Sequence, residues 1–207
     1  MVENGIGASL KRKEDNRFLT GKGNYTDDIN RPGQTYAYIV RSPHAHATIN
    51  SVDISAAKSA PGVVAVFVGQ DLLDDAVGGL VCGASVTGKG GEVNKVPPRN
   101  VLTMDKARFV GDPIAVVIAE TLAQAKDGAE LVAIDYTELP STVSTANSDA
   151  DGAPQLHEEC PNNVALDWEL GDKAAVDAAF ASAAKTAEVE LVNNRMVTNA
   201  MEPRAAV

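Results

Sequence analysis

"PIAVVIAETLAQAKDGAELVAIDYTEL", Pro113 to Leu139, is the stretch whose reading decides the fold. Its first seven residues form an unbroken apolar run of strand length, the pattern of a strand covered on both faces. In the "TLAQAKDGAELV" that follows, Leu122, Ala125, Ala129 and Val132 fall at helical spacing. "LVAIDYTEL" then puts Val132, Ile134 and Tyr136 on one face of an extended segment. A strand at 113–119, a helix at 121–130 and a strand at 131–139 predict a βαβ unit, its two strands parallel and joined by a right-handed crossover.

Upstream, "VVAVFV" (63–68) is a second continuous apolar run and predicts a central strand of the same sheet. "TYAYIVRS" and "ATINSVDI" read as two further strands, with Arg41-Ser-Pro-His-Ala-His46 between them. "SAAKSAPG" reads as one helical turn closed by Pro61-Gly62, and "GQDLLDD" as another short helix. Residues 78–100 hold six glycines and the pair Pro97-Pro98, and read as a long exposed excursion.

Downstream, "PSTVSTANSDADGAP" (140–154) has linker composition. Beyond it, "NNVALDWEL" predicts a strand. Asp172 is placed to cap a helix over 173–184 with a buried stripe of Val176, Ala179, Phe180 and Ala183. "AEVELVNNR" alternates Val189 and Leu191 with acids, as a strand would. The expected class is α+β (mixed α/β), with residues 18–140 as one compact domain, a break near 140–160, and an incompletely buried segment after it.

At 207 residues and 44% hydrophobic, the chain can build a core. A formal charge of −10 and the absence of any Lys/Arg cluster argue against nucleic acid as a partner. No apolar run reaches the ~18–20 residues of a membrane helix, and the first residues hold no signal-peptide core. Two distant cysteines, Cys82 and Cys160, fit neither a zinc ribbon nor a disulfide scaffold. A soluble protein of a reducing compartment, the cytoplasm, is the expectation.

"GASVTGKG" (83–90) matches seven positions of the phosphate loop GxxxxGK[ST], but Gly90 stands where the magnesium-binding hydroxyl belongs. Gly91 and Pro97-Pro98 also oppose the helix that loop requires. "GIGASL" (5–10) lacks the third glycine of a dinucleotide fingerprint and no strand precedes it. His44 and His46, two apart, could share a metal on one strand face, yet zinc needs three or four ligands and His157 lies beyond the linker. Arg41, His44 and His46 therefore read as hydrogen-bonding residues that fix a strand end or an interface. The acids Asp27-Asp28, Asp74-Asp75, Glu158-Glu159, Asp149 and Asp151 read as solvated surface. No catalytic or metal-binding residue is assigned, and cofactor-binding residues stay open.

Five blocks in order carry a resemblance: "KRKEDNRFLTGKGNYTDDI", "RSPHAHATI", "APGVVAVFVGQDL", "FVGDPIAVVIAETLAQAKDGAELVAIDYTELP" and "NNRMVTNAMEPRAAV". Together they resemble the N-terminal part of the molybdopterin-binding large subunit of the xanthine dehydrogenase/aldehyde oxidase family, in the flavour of the aerobic carbon monoxide dehydrogenase large chain. The resemblance implies an N-terminal extension (1–17), an a/b hammerhead domain (18–140), a linker (141–160) and the opening of the first molybdopterin-binding domain (161–207). "NAMEPR" (199–204) would help build that cofactor domain rather than do chemistry.

Such subunits belong to molybdenum hydroxylases that oxidise carbon monoxide, an aldehyde or an N-heterocycle, with water as the oxygen source and a glutamate as base. Electrons leave through 2Fe-2S centres on a small subunit and FAD on a medium subunit, and the complete enzyme is expected as a dimer of heterotrimers. The family's catalytic positions follow the "MEPR" block. The chain is accordingly expected to be an N-terminal piece, inactive alone and holding no cofactor. The alternative is a stand-alone hammerhead module used for binding or assembly.

Overall fold

The computed structural model describes residues 6, 7, 9, 11–193, 196, 206 and 207. The chain divides into two compact units, Met1–Gln34 with Met196–Val207, and Thr35–Arg195. The first contains helix α1 (Asp15–Leu19), where the Phe18 and Tyr25 rings stack 5.4 Å apart.

The second unit begins with β1 (Tyr36–Arg41), β2 (Ala47–Asp53), the turn-length α2 (Ser55–Lys58), β3 (Val63–Val68) and α3 (Gly69–Asp74). It continues through β4 (Lys106–Ala107), β5 (Pro113–Ala119), α4 (Leu122–Glu130), β6 (Ala133–Glu138) and α5 (Lys173–Ser182).

Two three-stranded sheets form, in the orders β1-β5-β3 and β4-β2-β6, and every pairing is antiparallel. Strand β5 is central, as its apolar run requires, with Ile114, Ala115, Val117 and Ala119 fully buried. Strand β3, expected to be central, lies at an edge, and its Val64 is 61% exposed.

The predicted parallel βαβ unit does not form. Both edges of β5 are taken, by β1 and β3, so no edge is left for the strand that follows α4. Strand β6 instead pairs with β2 in the other sheet, from Ala47↔Glu138 to Asp53↔Ala133. The expected sharing of one sheet by 63–68, 113–119 and 131–139 is thus corrected: the third strand belongs to the other sheet.

Helix α4 starts where Thr121 Oγ1 accepts from the Gln124 backbone N–H, a side-chain N-cap. Its Ala129 joins Ala57, Val66 and Val117 in the core, flanked by Val40, Ile54, Val63 and Val132. Gly128 allows the close approach: a Cβ there would lie 2.8 Å from Val63 Cγ2 and 3.1 Å from Val117 Cγ1.

The excursion 78–100 contains no helix beyond the three-residue turn Lys89–Gly91, which removes the phosphate-loop reading. It is pinned rather than free. Lys89 N–H donates to Asp167 O (2.8 Å) and Lys95 N–H to Ala165 O (2.8 Å).

The strand expected at 162–170 is absent. Asn162 and Asn163 adopt left-handed backbone angles, φ 55° and 58°, which break an extended run at its start. Residues 187–193 are likewise not in a strand, with Val189 and Leu191 74% and 82% exposed; Asn194 and Arg195 lie outside the described residues. Helix α5 forms where expected, its Asp172 carboxylate accepting from Ala175 N–H (3.0 Å). Its supposed buried stripe is exposed: no residue of α5 is buried. "NAMEPR" also lies outside the described residues.

Candidate functional site

The segment "RSPHAHA" links the two sheets. A bulge between Val40 and Arg41 ends β1, and Arg41 Nη1 donates to Gly111 O (2.9 Å). Ser42 is fully buried and ties the corner to the start of β5. Its N–H donates to Asp112 O (2.9 Å), and its carbonyl accepts from Gly111 N–H (2.8 Å). The Ser42 hydroxyl donates to His44 O and accepts from His44 N–H, closing a tight local turn before β2.

His44 and His46 do not share a ligand face, because both precede β2 rather than lying on it. The His44 ring lies 4.8 Å from that of Tyr136, tilted by 58°. His46 is buried, and its Nδ1 is 2.7 Å from Pro140 O. A carbonyl only accepts, so Nδ1 carries the proton and Nε2 of the neutral ring is an acceptor. That Nε2 is buried without a hydrogen-bond partner. The expectation that these histidines fix a strand end by hydrogen bonding describes His46, which clamps the end of β6.

Three residues that the sequence did not single out complete the environment. Asp112 is buried, accepting from Thr103 Oγ1 (2.8 Å) at Oδ1 and from Arg108 N–H (3.0 Å) at Oδ2. Its sequence signal was a carboxylate directly before Pro113 and a fully apolar strand. Arg108 donates from Nε to Leu156 O (3.0 Å) and from Nη1 to Lys106 O (3.1 Å). The Tyr136 hydroxyl is buried beside Ser42, whose own hydroxyl is engaged with His44, and it completes no hydrogen bond. Burial pushes the Tyr136 pKa up, partly countered by Ser42.

The linker-like segment folds back against this corner. Lys106 Nζ pairs with Glu158 (3.3 Å), Cys160 is buried, and Asn163 accepts Leu156 N–H (2.9 Å). His157, far off in sequence, comes within electrostatic reach of His46, Arg108, Asp112 and Glu159. Burial holds its pKa below the ordinary histidine value, and Arg108 adds to the effect. The carboxylate pairs expected to be solvated surface are exposed.

Among the described residues, no three His, Cys, Asp or Glu side chains gather closely enough to hold a metal. The roomiest hollows are solvent-open grooves of about 480 and 470 Å³, one against β1 and Ala129-Glu130, the other within 141–154. A pterin cofactor needs many converging donors in an enclosed cavity. The groove at β1 offers a Tyr38, an Arg41 and a Glu130 on an open face, so the described residues do not fit that group. Among them, no helix is long and apolar enough to cross a membrane.

Known proteins share this arrangement. The profile of "Aldehyde oxidase and xanthine dehydrogenase, a/b hammerhead domain" matches residues 20–140. The nicotine 6-hydroxylase large subunit of Paenarthrobacter nicotinovorans is 35% identical over 100% of this chain and 24% of its own length. The carbon monoxide dehydrogenase large chain of Afipia carboxidovorans is 36% identical over 94% of this chain and 23% of its own.

Among solved structures, the Cu,Mo-CO dehydrogenase in its carbon monoxide reduced state superposes with a TM-score of 0.69. That match is 36% identical and covers 87% of this chain and 23% of the other. Quinoline 2-oxidoreductase from Pseudomonas putida 86 gives a TM-score of 0.61 at 34% identity, over 73% and 18%. The chain thus spans about a quarter of the length of these large-subunit relatives. With a family profile across its two sheets and relatives matching from end to end, this chain belongs to the aldehyde oxidase and xanthine dehydrogenase family and carries its a/b hammerhead domain.

Proposed function

We propose that this chain is the N-terminal part of the large subunit of a molybdenum hydroxylase that oxidises carbon monoxide, an aldehyde or an N-heterocycle. One observation carries the reading: similarity to a nicotine 6-hydroxylase large subunit runs through 100% of the chain yet covers 24% of that relative. Residues 18–140 are the hammerhead domain, 141–160 a connecting segment, and 161–207 the opening of a molybdopterin-binding domain. The partners are an iron–sulfur small subunit and an FAD-binding medium subunit, in a cytoplasmic dimer of heterotrimers.

The contribution of these residues is architectural. They form two sheets and a corner on which the cofactor-bearing remainder of a large subunit is assembled, and they supply no reacting group of their own. No step of the reaction is assigned to them.

Reading the coding DNA beyond codon 207 tests the proposal. An open frame encoding the remaining large-subunit sequence is expected. Its product, expressed with the two partner subunits, should contain molybdenum, iron and flavin and reduce a dye with one of the three substrate classes. A stop codon at that point, or a full product without molybdenum, would overturn it in favour of a stand-alone module.

A further inference from the structure

We propose that His46, Arg108 and His157 form a pH-sensitive latch that holds residues 154–160 against the corner of the second sheet and releases them when His157 gains a proton. The inference concerns this chain's own residues and is independent of which substrate a complete enzyme would oxidise.

The latch is built from contacts of long sequence separation. Arg108 Nε donates to Leu156 O, Lys106 pairs with Glu158, and Cys160 is buried, so the segment is tied down on both sides of His157. Within the segment, Leu156 N–H donates to Asn163 Oδ1 and Cys160 N–H to His157 O (3.1 Å). Opposite it, His46 is fixed as the Nδ1–H tautomer by Pro140 O, with Nε2 buried and unpartnered.

The charged and titratable groups facing His157 are Arg108, Glu159, Asp112 and His46. Glu159 and Asp112 favour the imidazolium, but Asp112 is already engaged by Thr103 and the Arg108 N–H, and Glu159 is exposed to solvent. Arg108 and partial burial oppose it, and they prevail. A proton on His157 therefore places a second cation beside the guanidinium that holds Leu156.

The direction follows from linkage. A histidine whose folded pKa is depressed binds a proton more readily once its segment is released. Its contribution is complete above the ordinary histidine range and is lost as the pH falls through that range towards the folded value. Acidification should thus loosen 154–160 while leaving the sheet around β5, whose buried residues are apolar, intact.

Amide exchange on the whole chain tests this, with protection factors compared at about pH 8 and about pH 5. Protection at Leu156 and Cys160 should fall by about tenfold relative to the β5 amides, the size of a one-unit displacement in pKa. In His157→Gln, which cannot gain the charge, that fall should vanish. NMR titration of the wild-type rings should show His157 below the ordinary histidine value. A fall that persists in His157→Gln, unchanged wild-type protection, or a His157 titrating at or above the ordinary value would each overturn the latch.

Discussion

The imidazole of His46 donates from Nδ1 to the carbonyl of Pro140 over 2.7 Å, joining two residues 94 positions apart. The same residue accepts Leu139 N–H at its own carbonyl (2.9 Å). These two bonds close the β2–β6 ladder one step beyond Ala47↔Glu138. A histidine that sequence spacing could have offered to a metal is thus a clamp on strand register.

Replacing His46 with Ala should show this directly. The substitution removes the bond to Pro140 and leaves a void where a side chain was buried. A loss of about 1–3 kcal/mol is expected in urea unfolding, the range for a buried hydrogen-bonded group. His44→Ala, which gives up a ring contact with Tyr136 on a partly buried side chain, should cost less. Equal costs would contradict the assignment of the clamp to His46.

Gly128 offers a test of the α4 packing. A side chain there meets Val63 and Val117 within 2.8–3.1 Å, and Val117 is fully buried and cannot retreat into solvent. Valine at this position has no large helix-propensity gain to offset the clash. Gly128→Val should destabilise by about 1–3 kcal/mol, read as a lower urea midpoint at unchanged slope.

These two sites also show what could be read in the sequence. The apolar run 113–119 announced a strand buried on both faces because a single local rule governs it. Its partners were not legible, since pairing depends on which edges other segments have already taken. Asp172 announced the start of α5, a local capping interaction, whereas the exposure of Val176 and Phe180 depends on what packs nearby. Arg108 passed unnoticed because its principal acceptor, Leu156 O, is 48 residues away. The break at Asn162-Asn163 was hidden because asparagine tolerates both extended and left-handed backbone.

Tyr136 should make the fold sensitive to alkali. Its folded pKa is raised by burial, so the folded chain keeps the phenolic proton at a pH where the unfolded chain has released it. The stabilising contribution is whole below the unfolded value of about 10 and is lost as the pH rises through the folded one. Tyr136→Phe removes a buried hydroxyl that completes no hydrogen bond. It should change neutral-pH stability by less than about 1 kcal/mol while flattening the decline at alkaline pH. An unchanged alkaline limb in a pH series of thermal midpoints would show that another group controls it.

Helix α5 supplies the last prediction, on the energetics of an uncovered face. Its ten residues are all exposed, with Val176 and Phe180 at 51% and 62%. Isolated helices shorter than about 12–15 residues are marginal in water, so α5 rests on its Asp172 cap with little help from burial. Val176→Lys and Phe180→Lys should each change the unfolding free energy of the chain by less than about 0.5 kcal/mol, as at other open surface positions. Asp172→Ala should lower helical ellipticity without shifting the main unfolding midpoint, because the core at Ile114, Val117 and Ala129 does not include α5. If Phe180→Lys instead costs more than about 2 kcal/mol, the magnitude of losing a buried aromatic contact, then the face is covered in the isolated chain.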